Sequence, residues 1–258
     1  MKQLRIILSG GGTGGHIFPA IAIANAIKKL RPDTSFLFVG AVGKMEMEKV
    51  PKAGYKIEGL WISGIQRRLT FKNISFPFKV ISSILKAKSI IKTFKPNAVI
   101  GTGGFASGPI LKVATKKNIA TIIQEQNSFP GITNRILSKK VNRICVAYSG
   151  MEKYFPKDKL LISGNPIRQD IENLNEKKKT GFEYFGLKEG KKTILVIGGS
   201  LGAKTINESL ELSINNLLEK NIQIIWQTGK AYFEKAKLCL GNKEHSEIKV
   251  FDFISKMD

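Results

Sequence analysis

The feature that most constrains this chain lies at its start: Ile6-Ile7-Leu8-Ser9, then Gly10-Gly11-Gly12-Thr13-Gly14-Gly15, then His16-Ile17-Phe18-Pro19-Ala20. A short branched apolar run that stops at five glycines in six positions reads as a buried strand entering a tight turn and then a helix. Glycine lets backbone N–H groups come close to a ligand, and the following helix points its positive dipole end at the same place. A phosphate-bearing ligand is the first expectation.

Gly10, Gly12 and Gly15 fit G-x-G-x-x-G, but dinucleotide binding also wants an acidic residue roughly 20 positions further on, at the end of the next strand. That strand, Ser35 to Val39, runs into Gly40-Ala41-Val42-Gly43 without a carboxylate, which demotes a nicotinamide enzyme. Nor does the dinucleotide pattern explain His16, one of two histidines in the chain, placed where loop becomes helix. Its bland reading is a helix-start residue meeting water; a functional reading stays open beside it.

Further along, Ala98-Val99-Ile100 leads into Gly101-Thr102-Gly103-Gly104-Phe105, a second strand, glycine turn and helix. Thr121-Ile122-Ile123 ends in Gln124-Glu125-Gln126-Asn127, and Arg143 to Ala147 is another short strand. In an open parallel sheet the carboxyl ends of strands form the ligand crevice, so these loops are expected on one side. Leu160 to Arg168 reads as a crossing segment, and the polar run Asn173 to Thr180 as a linker or exposed loop.

A second block opens at Thr193 to Ile197, with Gly198-Gly199-Ser200-Leu201-Gly202-Ala203-Lys204-Thr205 and a helical pattern after it. This resembles the nucleoside-triphosphate loop, yet Ala203 stands where that loop needs its second glycine. Ile222 to Trp226 and Ile248 to Phe253 are further strands. The expected fold class is therefore α/β with two Rossmann-like domains facing a cleft, divided as 1–163 and 164–258.

The length of 258 residues and a hydrophobic content of 42% suit packed cores. Cys145 and Cys239 read as separate buried thiols of a reducing compartment, with no zinc pattern. No signal peptide or membrane-spanning run is read, so a cytoplasmic protein is expected. Glu46 and Glu48, in the run KMEMEK, are expected to face solvent. The net charge of +22 is unevenly spread: between Glu58 and Glu125 there are eleven lysines and arginines and no acid. That part of the surface attracts anions: nucleic acid, nucleotide or acidic lipid. Leu60 to Phe94 mixes apolar residues with Arg67, Arg68, Lys72, Lys79, Lys86, Lys88 and Lys92. It reads either as a core-facing helix with a basic outer face or as a segment lying in a membrane interface.

GGGTGGHIFPA, GKMEMEKVPKAGY, ISGIQRR, GTGGFASGP, QEQNSFPGITNR, SGNPIR, GGSLGAKTIN, WQTGK and FISKM, in this order from Ile6 to Met257, closely resemble the MurG family of bacterial transferases. That resemblance implies a two-domain glycosyltransferase type B fold and transfer of N-acetylglucosamine from UDP-N-acetylglucosamine to undecaprenyl-pyrophosphoryl-muramoyl-pentapeptide, with inversion. It implies acceptor binding by the N-terminal domain at Gly10, Gly11, Gly12, Gly101, Gly103, Gly104, Phe105 and Glu125. Donor-binding positions carry over to Thr13, Gly14, Gly15, Asn127, Arg168, Ser200 and Ile254, and the general base to His16. No cofactor and no metal is expected, because helix dipoles and basic groups can neutralise the leaving diphosphate. Peripheral docking on anionic inner-leaflet lipids, at the cytoplasmic face of the cell membrane, gives the Leu60 to Phe94 segment its role.

Gln124 stands where the family usually has histidine, and Phe105 where tyrosine is common. The family's sequences also continue past Asp258, so the resemblance implies an incomplete second domain, with donor binding weak or absent, no sugar transfer by these 258 residues alone and aggregation through that domain. Two other readings stay open: a UDP-sugar epimerase or hydrolase on the same fold, which needs no lipid-facing patch, and a basic nucleic-acid-binding protein. The second wants aromatics interleaved with lysines, whereas here most are phenylalanines inside apolar runs, so no nucleic-acid partner is expected.

Overall fold

The computed structural model describes residues 3–64, 75–167, 174–199, 202–241 and 247–254. It divides into two units, Met1–Gln169 and Asp170–Asp258, each built on its own parallel sheet.

In the first unit seven strands run in the order β3-β2-β1-β4-β5-β6-β7. They are β1 (Arg5–Gly10), β2 (Ser35–Ala41), β3 (Ile57–Leu60), β4 (Ala98–Gly103), β5 (Ala120–Glu125), β6 (Arg143–Val146) and β7 (Leu160–Ile162). All neighbours pair in parallel. The helices are α1 (Gly14–Leu30), α2 (Glu46–Lys52), α3 (Phe76–Phe94), α4 (Ser107–Lys116) and α5 (Ile132–Ser138).

Side chains of a strand alternate between faces, and a parallel sheet is covered on both. Ile6 and Leu8 of β1 accordingly pack with Ile17, Ala20, Ile21 and Ala24 of α1 and Val50 of α2. Ile7 points the other way, into the cluster of Ala87, Ile90 and Ile91 from α3 and Ile110, Leu111 and Ala114 from α4. Each buried isoleucine, leucine or valine among them contributes roughly 1.5–3 kcal/mol by leaving water. Because the chain winds outward from β1 through β2 to β3 and then returns to β4, the strand order reverses between β1 and β4. Ligand crevices open at the carboxyl ends of strands at such a point, and here both flanking strands end in glycine loops.

The second unit holds α6 (Leu174–Phe185), β8 (Lys192–Ile197), α7 (Lys204–Glu219), β9 (Ile222–Gln227), α8 (Lys230–Leu240) and β10 (Ile248–Phe251), with sheet order β10-β9-β8. Its core gathers Leu210, Ile214, Ile224, Trp226, Ala236 and Ile248. Buried Asn207, one turn into α7, accepts from the Trp226 indole N–H at 3.0 Å and donates to the Thr228 carbonyl at 2.9 Å.

Three local expectations are corrected. The run Asn173 to Thr180 is not a loop, since α6 begins at Leu174; Phe185 at its far end stacks edge-on against Phe251 at 5.6 Å, which anchors an otherwise polar helix. Leu160 to Ile162 is no crossing segment but the edge strand beside β6. Cys239 is exposed on α8, and Cys145 in β6 is only partly covered, with burial pushing its thiol pKa up.

Asn207 supplies a testable point. Asn207→Leu keeps the branched outline, in a somewhat larger side chain, but leaves the indole N–H and the Thr228 carbonyl without this partner in the core. At about 1–3 kcal/mol for each orphaned group, the second unit should lose at least about 2 kcal/mol in a urea unfolding curve. An unchanged midpoint would mean that this bridge does not stabilise the α7 start.

Candidate functional site

The loops that follow β1 and β4 interlock. Thr102, at the end of β4, donates its hydroxyl to the His16 carbonyl at 2.7 Å, and a Cβ on Gly10 would overlap that hydroxyl. A Cβ on Gly104 would overlap the Gly11 carbonyl oxygen, and Gly104 has φ +77°, a region that side chains rarely adopt. The backbones of the two loops therefore touch directly. Gly101 lies deeper, with Leu111 of α4 against it.

His16 stands in the first turn of α1, half-buried. Its Nδ1 is 3.2 Å from the Gly11 carbonyl oxygen and 3.3 Å from the Thr13 hydroxyl. A carbonyl can only accept, so the Gly11 contact is a hydrogen bond in the tautomer that carries its proton on Nδ1, with the Thr13 hydroxyl as a second acceptor, and that tautomer leaves the Nε2 lone pair free. The Nε2 edge faces Gly103: a Cβ there, at φ +105°, would sit 3.0 Å from Nε2. Beside it α1 opens at Gly14 and Gly15 with no side-chain cap, leaving the positive end of the helix uncovered by acid.

Glu46 corrects the sequence reading. Glu48 does face solvent, but Glu46 is 0% exposed and lies under the first glycine loop. Its Oε1 accepts the Ala41 N–H at 2.9 Å and its Oε2 the Gly12 N–H at 3.0 Å. The cause is steric: Gly11 and Gly40 lack the Cβ atoms that would occupy the hollow, and the first residue of α2 folds back into it. The Gly12 amide is thereby withdrawn from the anion-binding set. No carboxylate ends β2 itself, yet one reaches the loop from α2, and no spacing rule distinguishes it from Glu48.

At the end of β5, Glu125 is 1% exposed and accepts four hydrogen bonds: Asn127 N–H (3.1 Å) and Nδ2 (3.0 Å) on one oxygen, Gly131 N–H (3.2 Å) and Asn134 Nδ2 (2.9 Å) on the other. It shapes the turn into α5, and Asn127 is held by it. Asn134 Oδ1 is buried without a partner among the described residues. Gln124 sits in an amide chain, its Nε2 3.4 Å from Asn165 Oδ1 and its Oε1 taken by Gln126 Nε2, which also donates to the Thr102 carbonyl at 2.8 Å.

Some of these groups line a pocket of about 480 Å³ in the first unit. His16, Gly103, Gly104, Glu125 and Asn134 supply its polar part, and Phe76, Val80 and Ile84 of α3 with Phe105 its apolar wall. The same α3 turns Phe78, Ile81 and Leu85 to solvent, Phe78 being 66% exposed, and Lys88 and Lys92 continue that stripe at helical spacing. Ile65 to Ile74, with Arg67, Arg68 and Lys72, lie outside the described residues.

In the second unit Gln227, at the end of β9, joins two loops: its Nε2 donates to the Gly199 carbonyl at 2.9 Å and its Oε1 accepts the N–H of buried Ile254 at 3.1 Å. Arg168 and Ser200 fall outside the described residues. Among the described residues no group of three or more His, Cys, Asp or Glu could hold a metal ion, and no helix is long and apolar enough to cross a membrane.

The interlock is testable through Gly104→Ala, which adds a methyl group against the Gly11 carbonyl at a strained φ. Unit one should lose about 2 kcal/mol or more in thermal or urea unfolding. Wild-type stability in that variant would contradict the close backbone approach.

Residues 6–146 match the glycosyltransferase family 28 N-terminal domain, and residues 193–258 match the glycosyltransferase family 28 C-terminal domain. The UDP-N-acetylglucosamine-N-acetylmuramyl-(pentapeptide) pyrophosphoryl-undecaprenol N-acetylglucosamine transferase of Flavobacterium psychrophilum is 56% identical over 258 residues, covering 100% of this chain and 70% of that protein. The protein of the same name from Cytophaga hutchinsonii is also 56% identical, over 100% of this chain and 69% of its own length. The chain thus spans about 70% of these relatives. Among solved structures, Acinetobacter baumannii MurG superposes with a TM-score of 0.68 at 26% identity, covering 98% of this chain and 69% of that one. The UDP-GlcNAc 2-epimerase of Neisseria meningitidis reaches 0.67 at 14% identity, over 98% and 73%, a likeness of fold alone.

Proposed function

The chain belongs to glycosyltransferase family 28, and on that premise we propose that it transfers N-acetylglucosamine from UDP-N-acetylglucosamine to the 4-hydroxyl of the muramoyl sugar of undecaprenyl-pyrophosphoryl-muramoyl-pentapeptide. This is a step of peptidoglycan synthesis, and through the cell wall it bears on cell shape and division. The observation that carries the reading is His16: a half-buried imidazole with Nδ1–H on the Gly11 carbonyl and its Nε2 edge toward the pocket where both glycine loops meet.

In the reaction the acceptor hydroxyl approaches the anomeric carbon from the face opposite UDP. Nε2 of His16 takes the hydroxyl proton as the new C–O bond forms. The bond from the anomeric carbon to the diphosphate oxygen breaks with its electron pair going to UDP, so configuration inverts. Thr13, Gly14 and Gly15 serve the donor from the open end of α1, where backbone N–H groups and the helix dipole favour negative charge. Asn127, Arg168, Ser200 and Ile254 complete the donor set. Gly10, Gly11, Gly12, Gly101, Gly103, Gly104, Phe105 and Glu125 form the acceptor side. In this reading the first unit binds acceptor and membrane and the second binds most of the UDP-sugar.

The exposed stripe Phe78, Ile81, Leu85, Lys88 and Lys92 supports peripheral docking at the cytoplasmic face of the cell membrane, apolar residues entering the acyl boundary and lysines meeting anionic headgroups. A lipid-linked acceptor is then presented beside the pocket whose wall the same helix forms. Nucleic acid has no part in this reading.

His16→Ala should lower kcat by about 10²- to 10⁴-fold with little change in donor affinity, read from steady-state kinetics and donor titration. A retained kcat would remove His16 from the chemistry. The double substitution Lys88→Gln with Lys92→Gln should weaken binding to anionic vesicles by about 1 kcal/mol per residue, less at high salt. Equal binding of the variant and wild type at low salt would sink the docking surface.

A further inference from the structure

The hydrogen bonds on either side of the first glycine loop share one peptide group. The Gly11 carbonyl, which accepts from His16 Nδ1–H at 3.2 Å, and the Gly12 N–H, which donates to Glu46 Oε2 at 3.0 Å, are the two ends of the Gly11–Gly12 amide. Carboxylate, peptide and imidazole therefore stand in a single chain. We propose that Glu46 is a positioning residue for the transfer reaction, acting on His16 through the Gly11–Gly12 peptide as the buried carboxylate of a relay that holds the ring with Nδ1 protonated and Nε2 free. The inference rests on the reading of His16 as the base and adds the group that orients it.

The physics is that of a polarised hydrogen-bond chain. A carboxylate on the N–H end draws the peptide proton toward itself and raises electron density on the carbonyl oxygen, so the carbonyl becomes a stronger acceptor for Nδ1–H. A hydrogen bond to an ionised acceptor is stronger than a neutral one. When Nε2 takes the acceptor's proton, the ring becomes a cation whose Nδ1–H already faces that carbonyl, with the negative charge of Glu46 behind it. No proton passes along the chain; Nδ1–H and the Gly12 N–H keep theirs throughout.

The construction around Glu46 suits this task. It is 0% exposed, so its charge acts in a poorly screened setting, and its second oxygen is fixed by the Ala41 N–H at 2.9 Å. Gly11 and Gly40 leave the hollow it fills. Gly104 also lies close against the Gly11 carbonyl, where a Cβ would overlap the oxygen. A carboxylate under an anion-binding loop opposes anion binding there, which makes a purely binding role for Glu46 a poor account of its position.

The test compares wild type with Glu46→Gln and Glu46→Asp. Nitrogen-15 NMR of the imidazole, assigned by loss of the signal in His16→Ala, reads which ring nitrogen is protonated in the neutral ring. Wild type should be almost wholly the Nδ1–H form. Glu46→Gln keeps the size and removes the charge, and should give a mixture of tautomers with kcat lower by about 10- to 100-fold and KM for both substrates unchanged within about twofold. Glu46→Asp keeps the charge with shorter reach and should fall between the two in both readouts; it carries the test alone if the glutamine variant does not fold. A wild-type tautomer ratio and kcat in the folded variants would overturn the relay while leaving His16 as base. A shifted tautomer ratio with a catalytically intact His16→Ala would uphold the relay and overturn the base.

Discussion

The contact on which the rest of the site depends is the backbone-to-backbone approach of two glycine loops at the ends of adjacent parallel strands. Strands β1 and β4 pair because the chain winds outward from β1 in one direction and resumes on its other side. Their loops must then share a space too small for side chains, and glycine at 10 and 104 lets Thr102 and the Gly11 carbonyl occupy it. From that contact follow the place of His16, bonded to one loop and edged against the other, and the opening of α1 toward the same crevice.

Electrostatics divides the crevice into unlike parts. The start of α1 carries no acid in its first turn and favours an anionic group. One loop-width away, Glu46 and Glu125 are both buried carboxylates, and every oxygen of each is met by backbone or amide donors. Neither can easily leave those donors without orphaning several N–H groups, so both hold the adjoining loops in place, Glu125 as a fixed part of the pocket lining. The apolar wall supplied by α3 completes a pocket suited to a molecule with a charged end and a greasy end.

Local chemistry made part of this legible from the residues. Abrupt glycines after Ile6-Ile7-Leu8 and Ala98-Val99-Ile100 locate two strand ends, and parallel winding puts them together. The parallel α/β architecture and the family's motifs were readable for the same reason, since each motif is a contiguous stretch. Glu46 was not, because its burial is decided by missing Cβ atoms at Gly11 and Gly40, which come together only in the folded sheet. Helix α6 escaped detection through its polar surface, its anchor being Phe185 on Phe251 far along the chain. Cys239 was misplaced because apolar neighbours in sequence do not imply a covered side of α8. Arg168 and Ser200 lie outside the described residues, so their part in the donor site rests on the motifs alone.

The central claim is that sugar leaves UDP only for a lipid-linked hydroxyl. The direct measurement follows UDP release and labelled N-acetylglucosamine together, with and without an undecaprenyl-linked muramoyl acceptor. The account predicts acceptor-dependent release of UDP matched mole for mole by sugar on the lipid. Epimerised or hydrolysed UDP-sugar at the same rate without acceptor would contradict it.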